Sequence, residues 1–207
     1  IYYIAGDDMD AIQRSPQLEG FRAKGIEVLL MNDPIDEFWV PTVGVYETKP
    51  FKSVTRGGDD LDKIKDADAP EETKQTEEEA KGMDALVALI KLELGEAVQD
   101  VRSSSRLTDS AVCLVAGEND LDMNLQRLLK QQGQLTAITP RVLELNPKHA
   151  LITGLAAKAA ESGAADTLKD AAHLLLDQAR IIEGEPVTDP AAYAKRMSHI
   201  MTAAFGG

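Results

Sequence analysis

"SPQLEGFRAKGIEVLLMNDPIDEFWV", residues Ser15 to Val40, decides how the first part of the chain folds. Ser15-Pro16 sets a side-chain cap before a proline whose fixed φ suits the first turn of a helix. Leu18 and Phe21 then fall three apart on one face, and Gly25 stands where a C-cap glycine belongs. "IEVLLMN" follows as a continuous apolar run, the pattern of a strand covered on both faces. Upstream, "IYYIAG" reads as a second buried strand ending at Gly6. Two apolar strands around a helix predict a β-α-β unit with a right-handed crossover. Asp33-Pro34 repeats the cap-plus-proline device and predicts a second short helix, and "PFKSVTR" a further strand.

Downstream the composition changes. Residues 59–81 hold ten acids and four bases with few large apolar groups, which predicts a solvated acidic linker. The expected layout is therefore 1–58, a small α/β unit; 59–75, the linker; and 76–207, an α+β domain. Thr76-Glu77-Glu78-Glu79 fits a capping box, with Met83, Leu86, Val87, Ile90 and Leu94 at helical spacing and Gly95 at the end. "AVQDVRSSSRL" and "AVCLVAG" read as strands flanking a hairpin turn at Thr108-Asp109-Ser110. "ENDLDMNLQRLLKQQG" predicts a helix over 119–132 with acids in its first turn and Gly133 at its end. "RVLELNP" is another strand, followed by the helix "KHALITGLAAKAAE". The last segment carries two amphipathic helices around Gly184 and Asp189-Pro190, an αα-hairpin. One stripe holds Leu168, Ala172, Leu175, Ala179 and Ile182; the other holds Ala194, Met197, Ile200, Met201 and Ala204. Such a hairpin leaves an apolar face that a second copy covers economically, as a four-helix bundle across a two-fold axis. The fold class expected is thus α/β (α+β), ending in a dimerisation hairpin.

Charge and cysteine content narrow the function classes. The 207 residues carry 35 acids against 22 bases, a net charge of −13, with no basic block. Phosphate backbones and anionic membranes need clustered Lys and Arg, so neither is an expected partner. The single cysteine, Cys113, allows no intrachain disulfide and fits a reducing, cytoplasmic compartment. No signal peptide is visible, and no apolar run approaches the roughly 20 residues of a membrane span. The chain starts at Ile1 without an initiator Met, which suggests a piece of a longer protein.

Candidate chemistry is sparse. Asp33, Asp36 and Glu37 offer hard oxygen ligands, and Asp33 and Glu37 are four apart on one potential helix face. A carboxylate-metal hydrolase is the alternative reading they allow. The structural reading is simpler: Asp33 caps the helix, and Asp36 and Glu37 complement its dipole. His149, His173 and His199 sit in no metal-binding spacing and read as ordinary helix residues; no metal site is expected. Cys113, in an apolar strand, reads as structural. No nucleophile elbow and no phosphate-binding glycine loop occur. Leu121, Leu125, Leu128 and Leu129 share one stripe from which Met123 falls away, so apolar groups lie on more than one side of a short helix. Spacing alone favours burial of that helix over an exposed patch. Of Phe38 and Trp39, placed between a charged turn and Pro41, at least one should face outward.

The opening stretch, with "IYYIAG", "KPFKSVTRGG", "RLTDSAVCLVAGE", "RVLELNPKHALI" and "LLLDQARIIEGEPVTDPAAYAKRMSHIM", resembles the heat-shock-protein-90 chaperone family, and most closely its bacterial branch. The resemblance covers nearly the whole chain, in order. It implies the end of the middle domain plus the C-terminal dimerisation domain of a homodimeric, ATP-driven clamp. ATP and Mg²⁺ would then belong to an N-terminal domain of the parent, with no cofactor and no ATPase activity in this stretch. By the same resemblance Phe38, with Trp39 beside it, and Leu121, Leu125, Leu128 and Leu129 line a cleft for unfolded client proteins. That implication turns the expectation for the leucine helix from burial to partial exposure. Leucines stand where relatives often carry Met or Phe, which makes the surface less adaptable. The chain ends "TAAFGG" rather than in an acidic Met-Glu-Glu-Val-Asp tail, so tetratricopeptide-repeat co-chaperones are not expected partners.

Overall fold

The computed structural model describes residues 1–56, 61, 77–160 and 165–205. Apart from Leu61, the expected linker lies outside the described residues, as does Thr76 of the expected capping box. The chain is a mixed α/β structure of several small sheets and eight α-helices among the described residues.

The first sheet has strand order β2-β1-β5, where β1 is Tyr2–Ala5, β2 Val28–Met31 and β5 Lys52–Ser53. Both pairings with β1 are parallel, in the register Tyr2 to Val28 and Tyr2 to Lys52. Between β1 and β2 the chain makes α1 (Met9–Gln13), a 3₁₀ turn (Pro16–Leu18) and α2 (Glu19–Ala23). Ser15 caps the turn by accepting from the Gln17 amide, and Gly25 takes the positive φ that closes α2. Ile4, Ile12, Leu18, Phe21, Val54 and Leu61 form the core beneath this sheet. A two-stranded ribbon, β3 (Val45–Tyr46) with β4 (Lys49–Pro50), follows the short helix α3 (Asp36–Val43).

The second sheet corrects the expected hairpin. Strands β6 (Asp100–Ser103) and β7 (Val112–Val115) do not pair with each other. β8 (Val142–Leu145) inserts between them, parallel to β6 and antiparallel to β7. The turn residues at 108–110 are instead held by Glu19, whose carboxylate accepts from the amides of Thr108, Asp109 and Ser110. A carboxylate far away in sequence replaces the pairing that local turn chemistry suggested.

Alternation along β7 and β8 explains why both are buried throughout, each strand on two faces. Val112, Leu114, Leu143 and Leu145 face one core with α4 (Glu77–Leu94), α6 (Ala150–Ala159) and α7 (Ala165–Ile182). Cys113, Val115 and Val142 face the opposite side with Leu107. The first part of the chain covers that opposite side, since Gln17 donates to the Leu114 carbonyl at 2.7 Å. The Ala116 amide donates to the Thr55 carbonyl at 2.9 Å, extending the join.

Helix α5 (Met123–Gln131) starts later than expected. Asp122 is its N-cap, accepting from the Asn124 amide, so the acids at 118 and 120 precede the helix and none lies in its first turn. Gly133 has φ +71°, as a helix-ending glycine should. The last helix, α8 (Pro190–Phe205), buries no residue within the chain.

Candidate functional site

The DPIDEFW segment builds a compact turn. Asp33 Oδ1 accepts from the Ile35 amide and Asp36 Oδ2 from the Asp33 amide, a reciprocal box that sets regular helix going at Asp36. Asp36 Oδ1 also accepts from Trp39 Nε1 at 2.7 Å, and Trp39 packs edge-on against Phe51 at 5.7 Å between centroids. The indole is thereby held against Phe51 while remaining 36% exposed, and Phe38 beside it is 43% exposed. Both aromatics thus reach solvent.

Glu37 lies in the first turn of α3, where an acid complements the helix dipole as expected, but it also turns inward. Its side chain is buried and accepts from Asn124 Nδ2 at 2.7 Å. Burial, with the negative charge of Asp122 nearby, pushes its pKa up to about 7 against the Asn124 hydrogen bond and the Arg127 charge. The three acids of the metal-hydrolase reading therefore diverge: two serve an exposed turn and the third points into the protein. Among the described residues no group of three or more His, Cys, Asp or Glu is placed to hold a metal ion.

The Glu37–Asn124 bond joins α3 to α5. Helix α5 is turned inside out relative to an ordinary surface helix. Met123, Asn124 and Gln126 form its buried side. Polar burial is tolerated because each group finds a partner: Asn124 on Glu37, and Gln126 on the Leu121 carbonyl and the Thr139 amide. The leucines are left outside: Leu121 is exposed and Leu125, Leu128 and Leu129 are half-buried. Spacing alone pointed to burial, and that expectation fails because polar anchors across the joint, invisible in local periodicity, take the inner face. Asp122 adds to the same joint through Thr55 Oγ1 at 2.7 Å and Ser53 Oγ.

The terminal stripes divide. Leu168, Ala172, Leu175 and Ala179 are buried in the chain's own core against the second sheet. They are used up internally, which removes them from the expected dimer surface. Ile182 remains 40% exposed. On α8, Met197 and Ile200 are half-buried, while Ala194, Met201 and Ala204 are exposed. Phe205, which the stripe did not include, is 83% exposed. His199 and Arg196 reach back to Asp170, at 3.1 and 3.5 Å, and tie α8 to α7.

The remaining singled-out residues are structural. Cys113 is buried, and burial raises its thiol pKa well above the ordinary value. His149 caps α6 by accepting from the Leu151 amide. Sequence reading missed Arg106 and Glu144, a buried pair at 3.0 Å. Arg106 also donates to the Val54 carbonyl, linking the two sheets. A charged residue inside the apolar run "RVLELNP" was the available signal.

The family model described as Hsp90 protein matches residues 1–207. The chain is similar to chaperone protein HtpG of Roseobacter denitrificans, 56% identical over 206 residues, 99% of this chain and 33% of that protein. It is 54% identical over 201 residues to chaperone protein HtpG of Paramagnetospirillum magneticum, covering 97% of this chain and 32% of that one. The corresponding protein of Rhodospirillum rubrum is 49% identical over 205 residues. The chain spans about a third of the length of these relatives. Among the described residues, no helix is long and apolar enough to cross a membrane.

Proposed function

The chain belongs to the Hsp90 family, and on that premise we propose that it is the client-gripping and dimer-forming part of a larger ATP-driven chaperone. The observation that carries this reading is the inverted burial of α5, with Leu121 outward, joined through Glu37–Asn124 to the helix that exposes Phe38 and Trp39. Two apolar surfaces on adjoining helices suit an unfolded chain, which offers diffuse apolar segments rather than one shape. The homologous chaperones named above support the chaperone class. In this reading ATP and Mg²⁺ act on another part of the longer protein, and these 207 residues hydrolyse no nucleotide.

The dimer surface in the same reading is the α8 face of Met197, Ile200, Met201 and Ala204, with Ile182 and Phe205 at its edges. An 18-residue α7 seated in the core offers a rigid base for it. The test has two arms. The chain should suppress aggregation of a heat-unfolded reporter enzyme, and Phe38→Ala or Leu125→Ser should lose most of that protection while keeping a native circular-dichroism spectrum. Undiminished protection in both variants refutes the client surface. Light scattering should give twice 22.4 kDa at micromolar concentration. Met201→Asp should give monomer, and a dimer unchanged by that substitution refutes the α8 interface.

A further inference from the structure

Trp39 is the only tryptophan of the chain. It is an exposed aromatic that is nevertheless fixed from two sides. Asp36 Oδ1 accepts from its Nε1 at 2.7 Å, from one turn back along α3. Its ring meets Phe51 edge-on, with centroids 5.7 Å apart and planes at 87°. Phe51 in turn meets Tyr3 edge-on at 6.4 Å, and Tyr3 is buried in β1. A ladder of rings thus runs from the buried sheet to the surface, and Asp36 closes its outer end. Phe38, the neighbouring exposed aromatic, has no ring partner among the described residues.

An indole makes two demands on a partner that covers it. Its N–H needs an acceptor, because burying a donor without one is unfavourable. Its side chain must also give up rotamer freedom, which weakens binding unless that freedom is already lost. An unfolded apolar segment carries acceptors only on its backbone, at no fixed position. Asp36 meets both demands in advance. Its carboxylate takes the N–H, and that bond together with the Phe51 contact holds the ring. The other carboxylate oxygen accepts from the Asp33 amide at 3.2 Å, so the acceptor itself is held in place.

Taking Phe38 and Trp39 as part of the client surface, as proposed above, the geometry points to Asp36 as a positioning residue for client binding. It holds the Trp39 indole as a fixed wall whose N–H is already satisfied. The two aromatics then divide the work. Trp39 is the rigid anchor, and Phe38 is the side chain that adapts to each client.

The single indole makes the test direct, because fluorescence of the 207-residue chain reports Trp39 alone. Acrylamide quenching and anisotropy of the free chain should show a looser, more accessible indole in Asp36→Ala. Asp36→Asn, whose amide oxygen can still accept, should stay close to the parent. Reduced, carboxymethylated ribonuclease A, a permanently unfolded chain without tryptophan, serves as the client. Asp36→Ala should bind it roughly fivefold more weakly, as loss of the acceptor for a buried N–H does. In a Trp39→Phe background, which keeps a ring but has no N–H, Asp36→Ala should change affinity by less than about twofold. An equal loss in both backgrounds overturns the assignment, since Asp36 would then act only by starting the helix. So does an indole as fixed in Asp36→Ala as in the parent. Phe38→Ala tells the two levels apart. Weak binding in Phe38→Ala with parental binding in Asp36→Ala overturns the positioning role alone. Parental binding in both variants, or no binding by the parent, removes the client surface itself and the role with it.

Discussion

Gly20, in the stretch that decides the N-terminal fold, gives the sharpest test of how the two sheets are joined. Glycine to alanine in a helix ordinarily stabilises, by up to about 1 kcal/mol, since alanine has the better propensity and a less flexible unfolded state. At Gly20 the sign should reverse. A Cβ there would meet the Arg106 carbonyl oxygen at 2.7 Å, its Cα at 2.9 Å and Leu61 Cδ1 at 3.1 Å. Ordinary contact begins near 3.4 Å, so α2 must retreat by about 0.7 Å from backbone that cannot yield. That retreat would also stretch the Glu19 and Gln17 hydrogen bonds on either side. Overpacking of this kind costs about 1–3 kcal/mol, so Gly20→Ala should destabilise by about 1–2 kcal/mol net. At this chain length the melting temperature should fall by about 3–6 °C. Gly154, in the middle of α6 with nothing within 4 Å of its added Cβ, is the internal control. Gly154→Ala should raise the melting temperature by about 2 °C. Gly82→Ala, whose Cβ would lie 3.0 Å from the Ala156 carbonyl oxygen, should fall between them. Differential scanning calorimetry on the three variants decides the matter. A Gly20→Ala variant as stable as the parent would refute the close seating of α2 on the 106 backbone.

Two further predictions concern carboxylates. Glu37 has its folded pKa raised to about 7, chiefly by burial and then by Asp122. The folded state therefore holds this proton more tightly than the unfolded state. Stability is lost as pH rises from the ordinary carboxylate range through about 7, and the full penalty applies above that. Glu37→Gln keeps an acceptor for Asn124 without the charge, so it should stabilise at pH 8 by on the order of 2 kcal/mol and by much less at pH 5. Urea titrations at the two pH values check this, and a gain independent of pH would contradict it. Glu19 behaves oppositely: burial works to raise its pKa, but hydrogen bonds from Asp109, Ser110 and Thr108 outweigh it and hold the carboxyl below its usual range. Its contribution is present above the unfolded carboxylate range and is lost as pH falls through the lowered folded value. Glu19→Ala should cost about 2 kcal/mol at pH 7, after allowing for the solvent-exposed part of the contact. The deficit should shrink toward pH 3, and a cost below about 0.5 kcal/mol would mean that 108–110 hold their turn unaided.

The sequence by itself determined the elements whose causes are local. Ser15-Pro16 and Gly25 bound the helical segment of the 3₁₀ turn and α2, because caps and proline act within a few residues, while α1 ahead of it was not foreseen. The apolar runs at 2–5, 28–31, 112–115 and 142–145 are strands. That at least one of Phe38 and Trp39 faces outward was readable from the charged turn before them and Pro41 after them; both do.

Tertiary structure decided what depended on partners far along the chain. β8 separates β6 from β7, since a central strand with two buried faces gains more than a local hairpin. Glu19 takes over the turn at 108–110, eighty-nine residues away. Glu37 turned inward to Asn124, and with it the polar side of α5 became the inner side and the leucines the outer one. Leu168, Ala172, Leu175 and Ala179 were claimed by the chain's own core rather than by a partner. Periodicity tells which residues share a face of a helix. Which face is buried depends on what stands opposite, and here Glu37 of α3, with Ser53 and Thr55 of the first part of the chain, stands opposite α5.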